Sequence, residues 1–234
     1  MTKKFLYTNT ELDAQISSLQ KAIRLSMNGV VADSMADHGL HYKKNYGVTT
    51  LRLKEIAHDY TPGVALAERL WLLGIRETMI LATLLAPAES FPEHIAENWS
   101  RECTNQELIE QANMNLFQHL PYAASFALKC INSDTSSLQS FGFTLALRKY
   151  THMNEVDVRH VVQRGIALSS DSDSYLIKTI AACLARFCRI NRSTAQIVQD
   201  LVNQSITNES VGLTIIRKFV DNELIFLGYE QDNP

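Results

Sequence analysis

Two stretches of the 234-residue chain repeat each other. LQSFGFTLALRKY, residues 138–150, and YLIKTIAACLARF, residues 175–187, superimpose at an offset of 37. The match pairs Phe143 with Ile180, Ala146 with Cys183, Leu147 with Leu184 and Tyr150 with Phe187. Within each stretch the apolar positions recur at helical spacing. An offset near 40 with two helices per unit is the sequence signature of HEAT and armadillo arrays. A helix pair of this kind cannot bury its apolar face alone, so neighbours must stack and share one core. The expected fold is therefore all-α: a right-handed α-α superhelix (a solenoid) of about six HEAT-like helix pairs. The concave wall of such a solenoid is its usual working surface.

The rest of the chain agrees with that reading. There is no sustained period-two alternation and no Asn-Gly or Asp-Gly hairpin turn. In TELDAQISSLQKAIRLSM, Leu12, Ile16, Leu19 and Ile23 follow the 3.6-residue period, and Thr10 with Asp13 has capping-box spacing. Further helices are read in TTLRLKEIAHDY, in PGVALAERLWLLG with Gly74 as its stop, in IRETMILATLLA and in FPEHIAENWSREC. Beyond residue 120 they follow in PYAASFALKCI, the two repeat stretches, NEVDVRHVVQRGIAL, STAQIVQDLV and a closing helix near 208–227. That makes about a dozen. No Gly-, Ser- or Pro-rich linker interrupts them, so the expectation is a single domain over residues 1–234, with N-terminal helices in 1–39 and a capping helix in 206–234.

Composition narrows the function classes. No run of about 18 apolar residues occurs, so no membrane-spanning segment is expected. The opening MTKKFLYTNTELD turns polar too early for a secretory leader, which makes a cytoplasmic location the default. Cys103, Cys130, Cys183 and Cys188 have neither CxxC nor zinc-type spacing and read as buried free thiols. The formal net charge of −3 opposes tight, unspecific binding to a polyanion. That average conceals an asymmetry. Residues 50–117 carry five Lys/Arg against ten Asp/Glu, whereas residues 138–192 carry eight against four.

Standard catalytic signatures are missing: no GxGxxG, no phosphate-binding P-loop, no GxSxG and no HExxH. His38 and His41 beside Asp37 read as loop residues rather than metal ligands, and no metal or other cofactor is expected. The SSDSDS run at 169–174 lacks the later Glu and central Gly of a calcium loop and reads instead as an N-cap. The stretch TNQELIEQANMNLF, residues 104–117, is more informative. Thr104 and Glu107 have capping-box spacing, Ile109, Ala112 and Leu116 form an apolar face, and Gln106, Glu110 and Asn113 form a polar stripe.

Three stretches, NYGVTTLRLKEIA, LAERLWLLGIRETMILATLL and TNQELIEQANMNLF, resemble the DNA alkylation-repair glycosylases built from HEAT-like repeats. The resemblance runs from about residue 40 to about 205. It is marked best by Tyr46-Gly47-Val48, by Leu70-Trp71 with Gly74-Ile75-Arg76-Glu77, and by Asn115-Leu116-Phe117. It implies release of N3- or N7-alkylated purines from duplex DNA. Water attacks a glycosidic bond whose transition state is oxocarbenium-like. A carboxylate stabilises the developing charge, tryptophans hold the deoxyribose, and basic groups grip the phosphates.

Carried over residue by residue, the resemblance implies an altered site. The family's Asn-Trp-Asp-Leu-x-Asp pattern falls on Asn105-Gln106-Glu107-Leu108-Ile109-Glu110, so Gln106 stands for a tryptophan and Glu110 for the catalytic aspartate. The paired arginines before the Gly-Phe step fall on Gln139 and Ser140, and the later tryptophan falls on Ala182. Lys178 keeps a basic residue. Glu for Asp lengthens the arm by about an ångström, a displacement that can cost about a hundredfold in rate. Trp99 lies on the preceding helix and reads as core.

Three functions stay open at this point. The first is a scaffold without efficient glycosylase activity that binds duplex DNA or another nucleic acid, weakly, or a protein in its groove. There Gln106, Asn113, Gln139, Ser140, Lys178 and Ala182 would line the groove, and Arg148, Lys149, Arg186 and Arg189 would meet phosphates. The second is a working glycosylase with Glu110 as its carboxylate. The third is a protein–protein adaptor with no nucleic-acid role.

Overall fold

The computed structural model describes residues 9–170, 173–204 and 210–229. Among them are thirteen α-helices, three short 3-10 turns and no strand. The chain divides into two compact units, Met1–Phe91 and Pro92–Pro234.

The first unit holds α1 (Thr10–Leu25), α2 (Gly29–Asp37), α3 (Thr50–His58), α4 (Val64–Leu72) and α5 (Arg76–Leu85). The cap of α1 is Asn9, whose side chain accepts from the Glu11 and Leu12 amides. Thr10 is thus the first helical residue rather than one half of a capping box with Asp13. Gly74 follows α4 at φ +63°, the left-handed conformation that ends a helix at little cost to glycine. The core helix is α5, in which Arg76 to Thr83 are all buried. Two of those buried residues are charged, and they clamp a loop. Glu77 accepts from the Tyr46 amide at 3.1 Å, the Val48 amide at 3.2 Å and Arg76 Nη1 at 3.0 Å. Arg76 Nη1 also donates to the Val48 carbonyl at 2.7 Å. Between the clamped amides, Gly47 sits at φ +68° with the Asn28 carbonyl oxygen 2.1 Å from where a Cβ would be. Tyr46-Gly47-Val48 and Arg76-Glu77 are therefore two halves of one structural feature.

The second unit holds α6 (Glu93–Glu102), α7 (Gln106–Asn115), α8 (Ala123–Ile131), α9 (Ser136–Arg148), α10 (Glu155–Ala167), α11 (Ser174–Phe187), α12 (Arg192–Gln204) and α13 (Val211–Leu227). From α7 onward these form two rows. In one, α7, α9, α11 and α13 pack side by side; in the other, α8, α10 and α12 do the same, each bracing its neighbours in the first row. The repeat read from sequence consists of adjacent members of the first row, α9 and α11. Phe143, Ala146, Ile180, Cys183, Leu184 and Phe187 are all fully buried. Between α8 and α9 the chains nearly touch. A Cβ on Gly142 would stand 2.6 Å from the Ile131 amide nitrogen and 2.8 Å from the Ala127 oxygen. Phe117, Phe126 and Phe141 fill the space beside them, the first and last edge-to-face at 4.7 Å.

Trp99 lies in this core, and so do the four cysteines, all of them free thiols. Burial pushes every one of these thiols up, Cys130 and Cys188 to about 12. Asp171 and Ser172 of the SSDSDS run lie outside the described residues. Asp173 caps α11 by accepting from the Leu176 amide. Residues 206–209 and 230–234 of the expected C-terminal segment, and residues 1–8 of the expected N-terminal helices, also lie outside them. His38 closes α2, its ring Nδ1 2.7 Å from the Ser34 carbonyl. Among the described residues no cluster of His, Cys, Asp or Glu could hold a metal, and no helix is long and apolar enough to cross a membrane.

Candidate functional site

Helices α7, α9 and α11 line a cleft of about 450 Å³ in the second unit. The first turns of α7 supply Gln106 and Glu110. The end of α9 supplies Thr144, Leu147 and Arg148, and α11 supplies Ser174, Tyr175, Lys178, Thr179 and Ala182. Each helix turns an apolar stripe into the core and leaves its opposite stripe for the cleft. On α11 that stripe is Tyr175, Lys178, Thr179 and Ala182, at intervals of three, one and three.

The cap that starts α7 is Asn105, accepting from the Leu108 amide at 3.0 Å, and not Thr104 as the spacing to Glu107 suggested. Gln106 and Glu110 are then one turn apart on the exposed side, and Gln106 Nε2 donates to Glu110 Oε1 at 3.0 Å. Arg148 projects from the last turn of α9 with its Nε buried and without a hydrogen-bond partner. Burial lowers the guanidinium's pKa, against which the Glu110 charge acts. Tyr175 is held by burial, and then by the Glu110 charge, above the ordinary range of a phenol, while hydrogen bonding with Thr179 and Thr144 pulls the other way. The phenol therefore stays protonated at neutral pH. The cleft thus combines one carboxylate, two cations, a neutral phenol and several hydroxyl or amide groups, and its aromatic ring is a tyrosine.

Of the residues singled out from sequence, Gln106, Glu110, Arg148, Lys178 and Ala182 share this cleft. The others do not. Asn113 is completely buried, donating to the Ile109 carbonyl at 2.9 Å and the Phe141 carbonyl at 3.4 Å. It joins α7 to α9 instead of extending the polar stripe. Gln139 and Ser140 are only 5% and 2% exposed, and Gln139 Nε2 donates to the Ser133 carbonyl at 2.8 Å. Both are core residues of α9, not groove residues.

Three of the four basic residues proposed to meet phosphates lie elsewhere. Lys149 closes α9, the Arg186 guanidinium sits 5.7 Å over the Tyr150 ring, and Arg189 is paired with Glu223 through both carboxylate oxygens. Tyr175, Thr144 and Thr179 were missed. A helical wheel of α11 drawn around Lys178 would have found Tyr175 and Thr179.

A solved structure of a protein from a new family related to the HEAT-like repeat DNA glycosylases, with affinity for branched DNA structures, superimposes on the chain with a TM-score of 0.72. The two are 15% identical, and the match covers 88% of this chain and 94% of that one. At this identity the likeness shows the fold, which is the HEAT-like repeat fold expected from the 37-residue offset. No curated protein matches the chain in sequence. Residues 19–196 match the sequence model described as DNA alkylation repair enzyme, a span that takes in both halves of the buried clamp and every residue of the cleft. The chain belongs to the DNA alkylation repair enzyme family.

Proposed function

We propose that this chain is a DNA-binding member of its family, that it engages DNA at the α7–α9–α11 cleft, and that it excises alkylated bases inefficiently or not at all. The observation that carries the reading is the composition of the cleft. Arg148 and Lys178 supply two cations for phosphate, while Gln106 and Ala182 stand where the family resemblance implies tryptophans. Without two aromatic walls a deoxyribose is not held against water, and the proximity that drives hydrolysis is lost. The fold-level relative's affinity for branched DNA supports a DNA partner over a protein one.

Binding of a plain duplex, a bulged duplex and a four-way junction, each measured over a range of salt, tests the reading. Branched or interrupted DNA is expected to bind more tightly than plain duplex. The salt slope is expected to reflect only a few released counterions, since few cations line the cleft, and Arg148→Ala and Lys178→Ala should each lower it by about one. Absence of binding to all three, or a slope reflecting many counterions unaffected by either variant, refutes it.

Glu110 shares the cleft with Arg148, and that keeps a second reading in play: a glycosylase using the longer carboxylate. Release of methylated purine from alkylated duplex above the spontaneous rate, abolished by Glu110→Gln, would establish it and overturn the first.

A further inference from the structure

Glu110 is out of place in a site built only to hold phosphate. A carboxylate beside two cations repels the ligand they attract, so its presence needs its own reason. Its hydrogen-bond partner is the neutral amide of Gln106, and among the described residues no Lys or Arg nitrogen comes within ion-pairing distance of it. The amide fixes the carboxylate's orientation through Oε1 and leaves Oε2, with the remaining lone pairs, open. The Tyr175 phenol and the two cations line the same space of about 450 Å³, within the roughly 300–1,000 Å³ of clefts that bury a small ligand.

We propose that the cleft reads one unpaired guanine: the Glu110 carboxylate accepts its N1–H and N2–H, the Tyr175 ring lies against its face, and Arg148 and Lys178 hold the phosphate of the same nucleotide. Guanine alone among the DNA bases presents two adjacent N–H donors on its Watson–Crick edge, and a carboxylate with two oxygens accepts both. The single amino groups of adenine and cytosine adjoin a ring nitrogen acceptor, which the carboxylate repels. Thymine's N–H lies between two carbonyl oxygens and fits worst. A paired guanine has that edge occupied, so recognition requires an unpaired nucleotide, as at a bulge or a branch point. This inference rests on the DNA-binding reading and specifies what the cleft takes from the DNA.

Fluorescence anisotropy with four duplexes that differ only in one bulged nucleotide (dG, dA, dC or dT) tests it. The dG bulge should bind on the order of tenfold more tightly than the dT bulge, the discrimination typical of one bidentate contact. Glu110→Gln, at an exposed position, should remove that preference: the dA, dC and dT bulges gain a few-fold because one negative charge leaves the site, while the dG bulge loses its bidentate contact and falls to their level. Tyr175→Ala should weaken all four about equally through loss of stacking. Equal binding of the four bulges by the wild type, or a dG preference that survives Glu110→Gln, overturns the inference while leaving the DNA-binding reading intact. Failure to bind the four bulges, with the four-way junction still bound, overturns the inference alone; failure to bind the bulges, plain duplex and the junction overturns both.

Discussion

Glu77→Gln is the substitution for which the structure allows the firmest estimate. Glu77 is 0% exposed and Arg76 3%, so water offers neither charge any relief. The carboxylate receives the Tyr46 and Val48 amides as well as the guanidinium. Glutamine keeps the shape but turns one acceptor into an NH2 group that must face a donor, and it takes the negative charge away from the buried Arg76 guanidinium. Breaking one side of a buried ion pair costs about 3–5 kcal/mol, against roughly 0–1 kcal/mol for an exposed pair such as Arg52–Glu55. Denaturant titration of Glu77→Gln should therefore show a loss of about 3–5 kcal/mol. Native-state hydrogen exchange should show the Tyr46 and Val48 amides losing protection first. The double variant Arg76→Met/Glu77→Leu removes both charges, and it should be less destabilised than the sum of its single variants by more than about 1 kcal/mol. A loss below about 1 kcal/mol in Glu77→Gln, or strict additivity in the double variant, would refute the clamp.

Other outcomes follow from the same geometry. Gly142→Ala would gain helix propensity, but its Cβ would meet the backbone of α8, so a net destabilisation of about 1–3 kcal/mol is expected in thermal or denaturant unfolding. The four cysteines should resist a thiol reagent at pH 8 in the native protein and react together once denatured, a difference visible in a simple absorbance assay. Their raised pKa values also set a pH dependence. Unfolded thiols lose protons from about pH 8.5, whereas the buried ones keep theirs, up to about 12 for Cys130 and Cys188. The native state therefore binds more protons in that window, and stability should fall as pH rises through it, by up to about 1.4 kcal/mol per pH unit for each thiol. Gln139→Arg, which restores the residue type that the family resemblance implies there, should lower stability by several kcal/mol in denaturant titration, since it buries a cation among core side chains.

The repeat and the helical periodicity carried most of the fold, because burial of a stripe is a local property of sequence. The pairing of Phe143, Ala146, Ile180 and Cys183 needed no knowledge of what lay between them. The site was only half legible for the opposite reason. Arg148 and Arg189 look alike in sequence, each basic and near the end of a repeat helix. What separates them is Glu223, 34 residues beyond Arg189, which occupies that guanidinium and leaves Arg148 to the cleft. Asn113 continues the stripe of Gln106 and Glu110 on a helical wheel, yet α7 runs inward against α9, and by its last turn that face is covered. A wheel gives the direction of a side chain but not the depth of the helix at that turn. Thr104 and Thr10 failed as caps because the neighbouring asparagines start the helices instead, Asn105 accepting from the Leu108 amide and Asn9 from the Glu11 and Leu12 amides.

The burial of Gln139 and Ser140 bears on which side chains α9 can accept. On the stripe that lines the cleft, side chains such as those of Gln106 and Ala182 can be exchanged with little effect on the fold. Positions 139 and 140 behave differently. Both are buried in the core, and Gln139 donates to the Ser133 carbonyl. An arginine there would have to reopen α9 before it could reach a phosphate. The packing that stabilises α9 at these two positions is thus the same packing that bars a long cationic side chain from them.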